Sequence, residues 1–139
     1  MHLNWIALHD FSVIWMTAVI WLVQVLIYPN FKFIPESEFE GFHKRHCDRI
    51  SYLVAPMFGQ GFFSGLILWQ GPRTVEWVFH FVAITSIFII TAVRSAPAHS
   101  KLAHRKDLPT VDHLIRWNWT RTLIWSAELI LVLKRQIER

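Results

Sequence analysis

His43 and His46 in "FHKRHCDRI", and Arg121 in "RWNWTRTLIW", are the residues of this sequence best suited to chemistry. Two imidazoles at i and i+3 share one helix face, exchange protons near neutral pH and can ligate a transition metal. A guanidinium is a planar fork of donors that fits a carboxylate or phosphate. Asn118, three residues before Arg121, adds an amide to the same stripe. The expectation is one polar site with His43, His46, Arg121 and Asn118 as its reactive groups. Gln24, Tyr28, Trp117, Trp125 and His113 are expected around a bound ligand or cofactor.

His43, His46 and His113 are a candidate metal set, and His99 and His104 lie in or beside the same loop as His113. Paired histidines across a helical bundle can also hold haem. Against these stand the lack of an HExxH motif and of any cysteine pair. Cys47 is the only cysteine, which excludes an intrachain disulfide and a cysteine-rich zinc site. Its thiol is expected to be inert. The cofactor is left unknown, with haem or a transition metal as candidates and no tightly bound group as the leading expectation. No phosphate loop or nucleophile elbow is present.

Arg121 and Glu128 lie seven residues apart in an apolar run. That is about 10 Å along a helix, too far for direct pairing. A lone charge there costs roughly 3 kcal/mol or more. Each therefore needs its own partner, and the stripe must face inward. Glu128 is matched in depth by His80, so a structural buried pair is expected. For Arg121 the candidates are Asp48, backbone carbonyls near Pro56, or an anionic ligand.

The elements that hold these groups follow from composition. The chain is 53% hydrophobic and only 17% charged, where a soluble domain carries about 25% charged residues. Four apolar runs are separated by short polar links. The fold expected is all-α: an integral membrane four-helix antiparallel bundle forming one domain over 1–139. Its helices are placed at about 10–28, 50–70, 75–94 and 112–134. Each run is near the roughly 20 residues that cross a bilayer. A short interfacial amphipathic helix is expected at about 38–49, with Ser37 as its cap and Glu40 as box partner. Phe39, Phe42, His43, His46 and Ile50 share its apolar face. Pro56 should kink the second helix, and Gly61 and Gly65 should let a neighbour approach closely.

No cleaved leader is read in "MHLNWIALHD", which lacks Lys and Arg. The first and third loops hold Lys32, Lys44, Arg45, Arg49, Arg94, Lys101, Arg105, Lys106 and Arg116; the opposite side holds Arg73, Lys134, Arg135 and Arg139. This bias places both termini outside, in the inner membrane if the source is bacterial. The net charge of +4 is thus read as orientation, not nucleic-acid binding. The partners expected are the lipid bilayer, a lipophilic small molecule, and a second copy or another membrane protein.

The order "WLVQVLIYPNF", "FHKRHCDRI", "VAP" and "HLIRWNWTRTLIW" resembles small four-helix bacterial membrane proteins without assigned function, loosely similar to DUF1772, or anthrone-oxygenase-like, proteins. The resemblance runs through Gln24, Tyr28, Pro29, His43, His46, Arg49, Pro56, Asn118, Arg121 and Trp125. It implies a shared site and oxidation of a flat aromatic substrate without a metal. A second similarity, to HemJ-type protoporphyrinogen oxidases, would imply haem. The functional expectation is an oxidoreductase or oxygenase acting on a lipophilic aromatic compound or haem-type ligand. The alternative is a non-catalytic accessory or binding subunit of a membrane complex.

Overall fold

A computed structural model describes residues 4–71 and 73–138, and among them the chain is helical with no strand. The helices are α1 (Trp5–Leu22), α2 (Tyr28–Asn30), α3 (Glu36–Leu53), α4 (Pro56–Gln70), α5 (Val75–Ile90), α6 (Ala96–Leu102) and α7 (Leu108–Ile137). They join into four rods. Trp5–Asn30, Glu36–Gln70 and Val75–Leu102 are each long and apolar enough to cross a membrane. The fourth rod, α7, has the length at 30 residues. Its apolar run is broken by Asn118, Arg121 and Glu128.

Side-chain caps start three of the rods. Asn4 Oδ1 accepts from the Ala7 N–H at 3.2 Å, Thr74 Oγ1 accepts from Trp77, and Asp107 accepts from Thr110. The third helix differs from expectation at its start. It begins at Glu36 behind Pro35, and Ser37 makes no cap. Glu36 and Glu38 instead place negative charge on the N-terminal dipole. The expected boundary between residues 49 and 50 is not a break. The chain stays helical to Leu53, turns through Val54 and Ala55, and restarts at Pro56. Proline has no N–H to give and fits the first turn of a new helix. The indole of Trp15 donates to the Leu53 carbonyl at 2.8 Å beside this break.

The third rod also runs further than the sequence suggests. The expected end is near residue 94, before "SAP", yet the chain remains helical to Leu102. A π turn over Thr91–Ser95 precedes Pro97, and a matching one over Val23–Ile27 precedes Pro29. A helical proline collides with the carbonyl four residues back. Those carbonyls, of Val25 and Val93, lie at the centres of the two widened turns. The turns close with bonds from Tyr28 N–H to Val23 O and from Ala96 N–H to Thr91 O.

The rods pack in a ring: α1 contacts α4 and α7, and α5 contacts the same two. At one end Trp5 stacks on Phe63, with centroids 5.9 Å apart. There Asp10 accepts from Arg135 and Gln136, and Arg135 also reaches Glu76. At the other end the first and third loops meet. Lys106 donates to the carbonyls of Lys32 and Ile34, both at 2.7 Å. Gly61 allows α4 and α5 to approach: a methyl there would sit 3.0 Å from Phe88.

Beside an apolar core, polar side chains are buried and large apolar ones are exposed. His9, Gln60, His80, Asn118, Thr122 and Glu128 are fully buried, while Phe58, Phe62, Trp69, Val82, Ile89 and Ile130 face outward. On α7 the buried positions Val111, Leu114, Asn118, Arg121, Trp125, Glu128 and Val132 alternate in steps of three and four. That period of 3.5 makes one seam along the helix facing α1 and α5.

Candidate functional site

Arg121 sits in the seam of α7, 7% exposed. One amino group donates to Asn118 Oδ1 at 2.6 Å and the other to Thr91 Oγ1 at 3.2 Å. The Asn118 amide is held in turn, donating to Gln24 Oε1 at 2.8 Å. The Arg121 Nε has no partner. Among the described residues no carboxylate pairs with this guanidinium; Asp48 takes Lys44 instead, at 2.8 Å. A charge with this little compensation is costly away from water.

Two of the partners lie at the starts of the π turns, Gln24 in the first and Thr91 in the second. Both continue the buried faces of the helices before them, Gln24 four residues after Ile20 and Thr91 four after Ile87. A widened turn, a feature frequent at functional sites, changes the phase of the residues that follow it.

Beside Arg121 runs a chain of hydrogen bonds drawn from three further segments. Tyr28 Oη lies 2.9 Å from His99 Nε2, and His99 Nδ1 lies 3.0 Å from His43 Nε2. The His43 and His99 centroids are 5.2 Å apart, which is close to the N···N distance plus two ring radii. The nitrogens therefore point at one another, as a shared proton requires. Cys47, one turn after His43, brings its Sγ to 3.7 Å from His43 Nε2 and 3.8 Å from His99 Nδ1. His46 stacks on His99 at 5.9 Å and meets the Tyr28 ring edge at 6.2 Å. Phe31 and Phe39, both fully buried, pack against His43 and fix its ring.

Some of these groups line a cavity of about 350 Å³, while His43 and His46 stand behind its wall. Tyr28, Cys47, Thr91, His99 and Arg121 form its polar wall, and Met16, Val19, Ile20, Ile50, Met57 and Trp125 the apolar remainder. The volume is at the lower end for small-molecule sites, and a mostly apolar lining with a few convergent polar groups is typical of them. That size suits a compact aromatic ring system better than a porphyrin.

A second polar cluster occupies the other half of the bundle. Gln60 Nε2 donates to both oxygens of Glu128, at 2.8 and 2.9 Å, and Gln60 Oε1 accepts the Trp125 indole N–H at 2.9 Å. His80 Nδ1 lies 3.0 Å from Glu128 Oε1. His9 meets the His80 ring edge-on at 4.6 Å and has Nδ1 3.2 Å from Asp10. Arg135 covers this end, its guanidinium over the Trp77 ring at 4.6 Å.

The structure thus brings His43, His46, Gln24, Tyr28, Asn118, Arg121 and Trp125 to one half of the bundle, and His80 and Glu128 to the other. It does not bring His113 or Trp117 there. His113 borders a separate recess with Arg94, Pro97 and Lys101, and Arg94 lies over the Trp117 ring at 4.6 Å. Each is one position before a seam residue, Leu114 and Asn118, and so is turned about 100° away from it. A metal set of His43, His46 and His113 is therefore not assembled; His99 and Cys47 stand closest to His43. Cys47 and Thr91 are not marked as site residues by the sequence, and His99 stands there only as a loop histidine. Gln60, His9, Asp10 and Arg135 are likewise unmarked. The seam of α1, read backwards from Ile20 through Met16 and Val13 to His9, carried the signal for the last cluster.

No family model, no curated protein and no solved structure matches this chain.

Proposed function

We propose that the protein is an integral membrane four-helix antiparallel bundle that binds a lipophilic small molecule by an acidic or carbonyl end. The observation that carries this reading is Arg121: a buried guanidinium with a free Nε and no carboxylate, in the wall of an apolar cavity. The outward apolar belt supports burial in lipid. The polar seam of α7 faces the other rods, so α7 can cross with them. The N-terminal half of α3, charged on one face and aromatic on the other, is read as lying in the interface. The basic first and third loops set that end on the cytoplasmic side, with both termini outside.

The ligand's polar end would take the Arg121 fork, and its rings the space between Met16, Ile20, Met57 and Trp125. The Tyr28–His99–His43 chain supplies proton transfer beside it. If the Tyr28 hydroxyl donates to His99 Nε2, the His99 Nδ1–H donates to His43 Nε2, and His43 carries its proton on Nδ1. A proton taken up at Tyr28 is thereby passed to His43. This is the groundwork for acid–base chemistry on an enolisable or phenolic ligand, the class to which flat aromatic oxidoreductase substrates belong. The reading is tested by extracting small molecules from wild-type protein and from Arg121→Gln protein purified in mild detergent. An acidic or carbonyl-bearing lipophile enriched in the wild type supports it. Matching extracts from two folded proteins contradict it.

A further inference from the structure

We infer that His43, Cys47 and His99 form a zinc-class metal site with an open fourth position. It extends the ligand reading but does not depend on it, since the three donors stand whether or not the cavity is filled. The sulfur and the two nitrogens lie within 4.8 Å of one another. Zinc–nitrogen bonds of about 2.05 Å and a zinc–sulfur bond of about 2.3 Å give tetrahedral edges of roughly 3.3 Å (N···N) and 3.6 Å (N···S). The edges here are 3.0, 3.7 and 3.8 Å. Only the N···N edge is short, by a few tenths of an ångström. That is the difference between sharing a proton and sharing an ion: to face a common ion each ring turns by roughly 35°, by the same bond lengths, so binding reorients both imidazoles.

The donors are a thiol and two imidazoles, a set that favours borderline-soft ions over magnesium or calcium. His43 and Cys47 are one helical turn apart on α3, and His99 comes from α6, so two rigid elements hold the set. The outer shell is in place as well. His99 would ligate through Nδ1 and donate its Nε2–H to Tyr28 Oη at 2.9 Å, which fixes the ring and its tautomer. Cys47 and His99 both line the cavity, so the fourth position faces it. Three protein ligands with one open position is the pattern of catalytic rather than structural zinc. Binding releases the Cys47 thiol proton and moves the His99 proton from Nδ1 to Nε2, while His43 keeps its proton on Nδ1. The His9, His80 and Glu128 cluster is a weaker candidate, because both Glu128 oxygens are already taken by Gln60.

The full chain, purified in detergent and stripped with a chelator, is titrated with Co(II) and with Zn(II). The wild type should take one Co(II) with a thiolate-to-metal charge-transfer band, displaced by Zn(II). Cys47→Ser should lose the band and His99→Ala should weaken binding at least tenfold, while Arg121→Lys and His113→Ala leave both unchanged. Zn(II) should also protect Cys47 of the wild type from alkylation, which needs no variant to fold. Loss of metal in Arg121→Lys alone would place the ion elsewhere and overturn the site. No charge-transfer band together with no protection of Cys47 overturns it outright. A band that persists in Arg121→Lys protein lacking ligand affinity separates the two readings.

Discussion

Arg121 and Glu128 lie on one seam of one helix, and each is answered by a different pair of residues. Arg121 takes Asn118 and Thr91, both neutral. Glu128 takes Gln60 and His80. The two charges stand in different halves of the bundle, Glu128 in a cluster of hydrogen-bonded polar side chains and Arg121 in the wall of the apolar cavity. Trp125 stands between them, bonded to Gln60 on one side and lining the cavity on the other.

The Glu128 cluster should behave as a structural unit. His80→Ala or Glu128→Ala alone should each destabilise the protein by about 3 kcal/mol, the order expected on leaving one member of a buried pair. His80→Phe with Glu128→Leu should cost clearly less than the sum of the single changes. Unfolding in a mixed detergent series measures all three. Strict additivity would mean that the 3.0 Å contact carries no coupling.

Asp107, outside the apolar rods, caps α7 and should keep that role into strong acid. The Lys101 ammonium and then the Thr110 hydroxyl hold its carboxyl down to about 2, from an ordinary 3.8. A depressed carboxylate contributes fully above its unfolded value and loses its contribution as pH falls through the folded one. The cap should therefore be intact at pH 4 and fade toward pH 2. A carboxyl-carbon NMR titration should find the midpoint near 2, and Lys101→Met should move it up toward 3.8. A wild-type midpoint already at 3.8 would contradict the cap.

Both termini should be outside. In a Cys47→Ala background, Glu138→Cys should react with an impermeant thiol reagent in intact cells, and Ser37→Cys only after permeabilisation. Both positions are exposed, so access decides the result. The reverse pattern would invert the orientation.

The rods were readable because apolar runs and prolines are local signals. The seam of α7 was readable in part, since Asn118, Arg121, Trp125 and Glu128 repeat in steps of three and four. Depth along the helix does not fix facing: His113 and Trp117 lie at the right level but one residue off the seam. The π turns were not readable. "SAP" reads as a helix end, and nothing in "TAVRS" says that a widened turn will carry the helix past Pro97 to His99. That single irregularity moved His99 from a loop into the cavity and gave His43 its partner. Cys47 was discounted because a lone thiol has little meaning until a second element arrives one helical turn from His43.

The measurement that bears most directly on Arg121 compares two probes in lipid nanodiscs: 1-naphthoic acid, and 1-methylnaphthalene, which has the same rings and no acid. Binding is followed by titration calorimetry with wild-type and Arg121→Lys protein. Lysine keeps the charge and loses the fork. The account predicts saturable binding of the acid at one site per chain, weakened at least tenfold by Arg121→Lys, with helix content unchanged and the hydrocarbon indifferent to the substitution. Equal affinity of both probes for both proteins, or no saturable binding of the acid to the wild type, would contradict it.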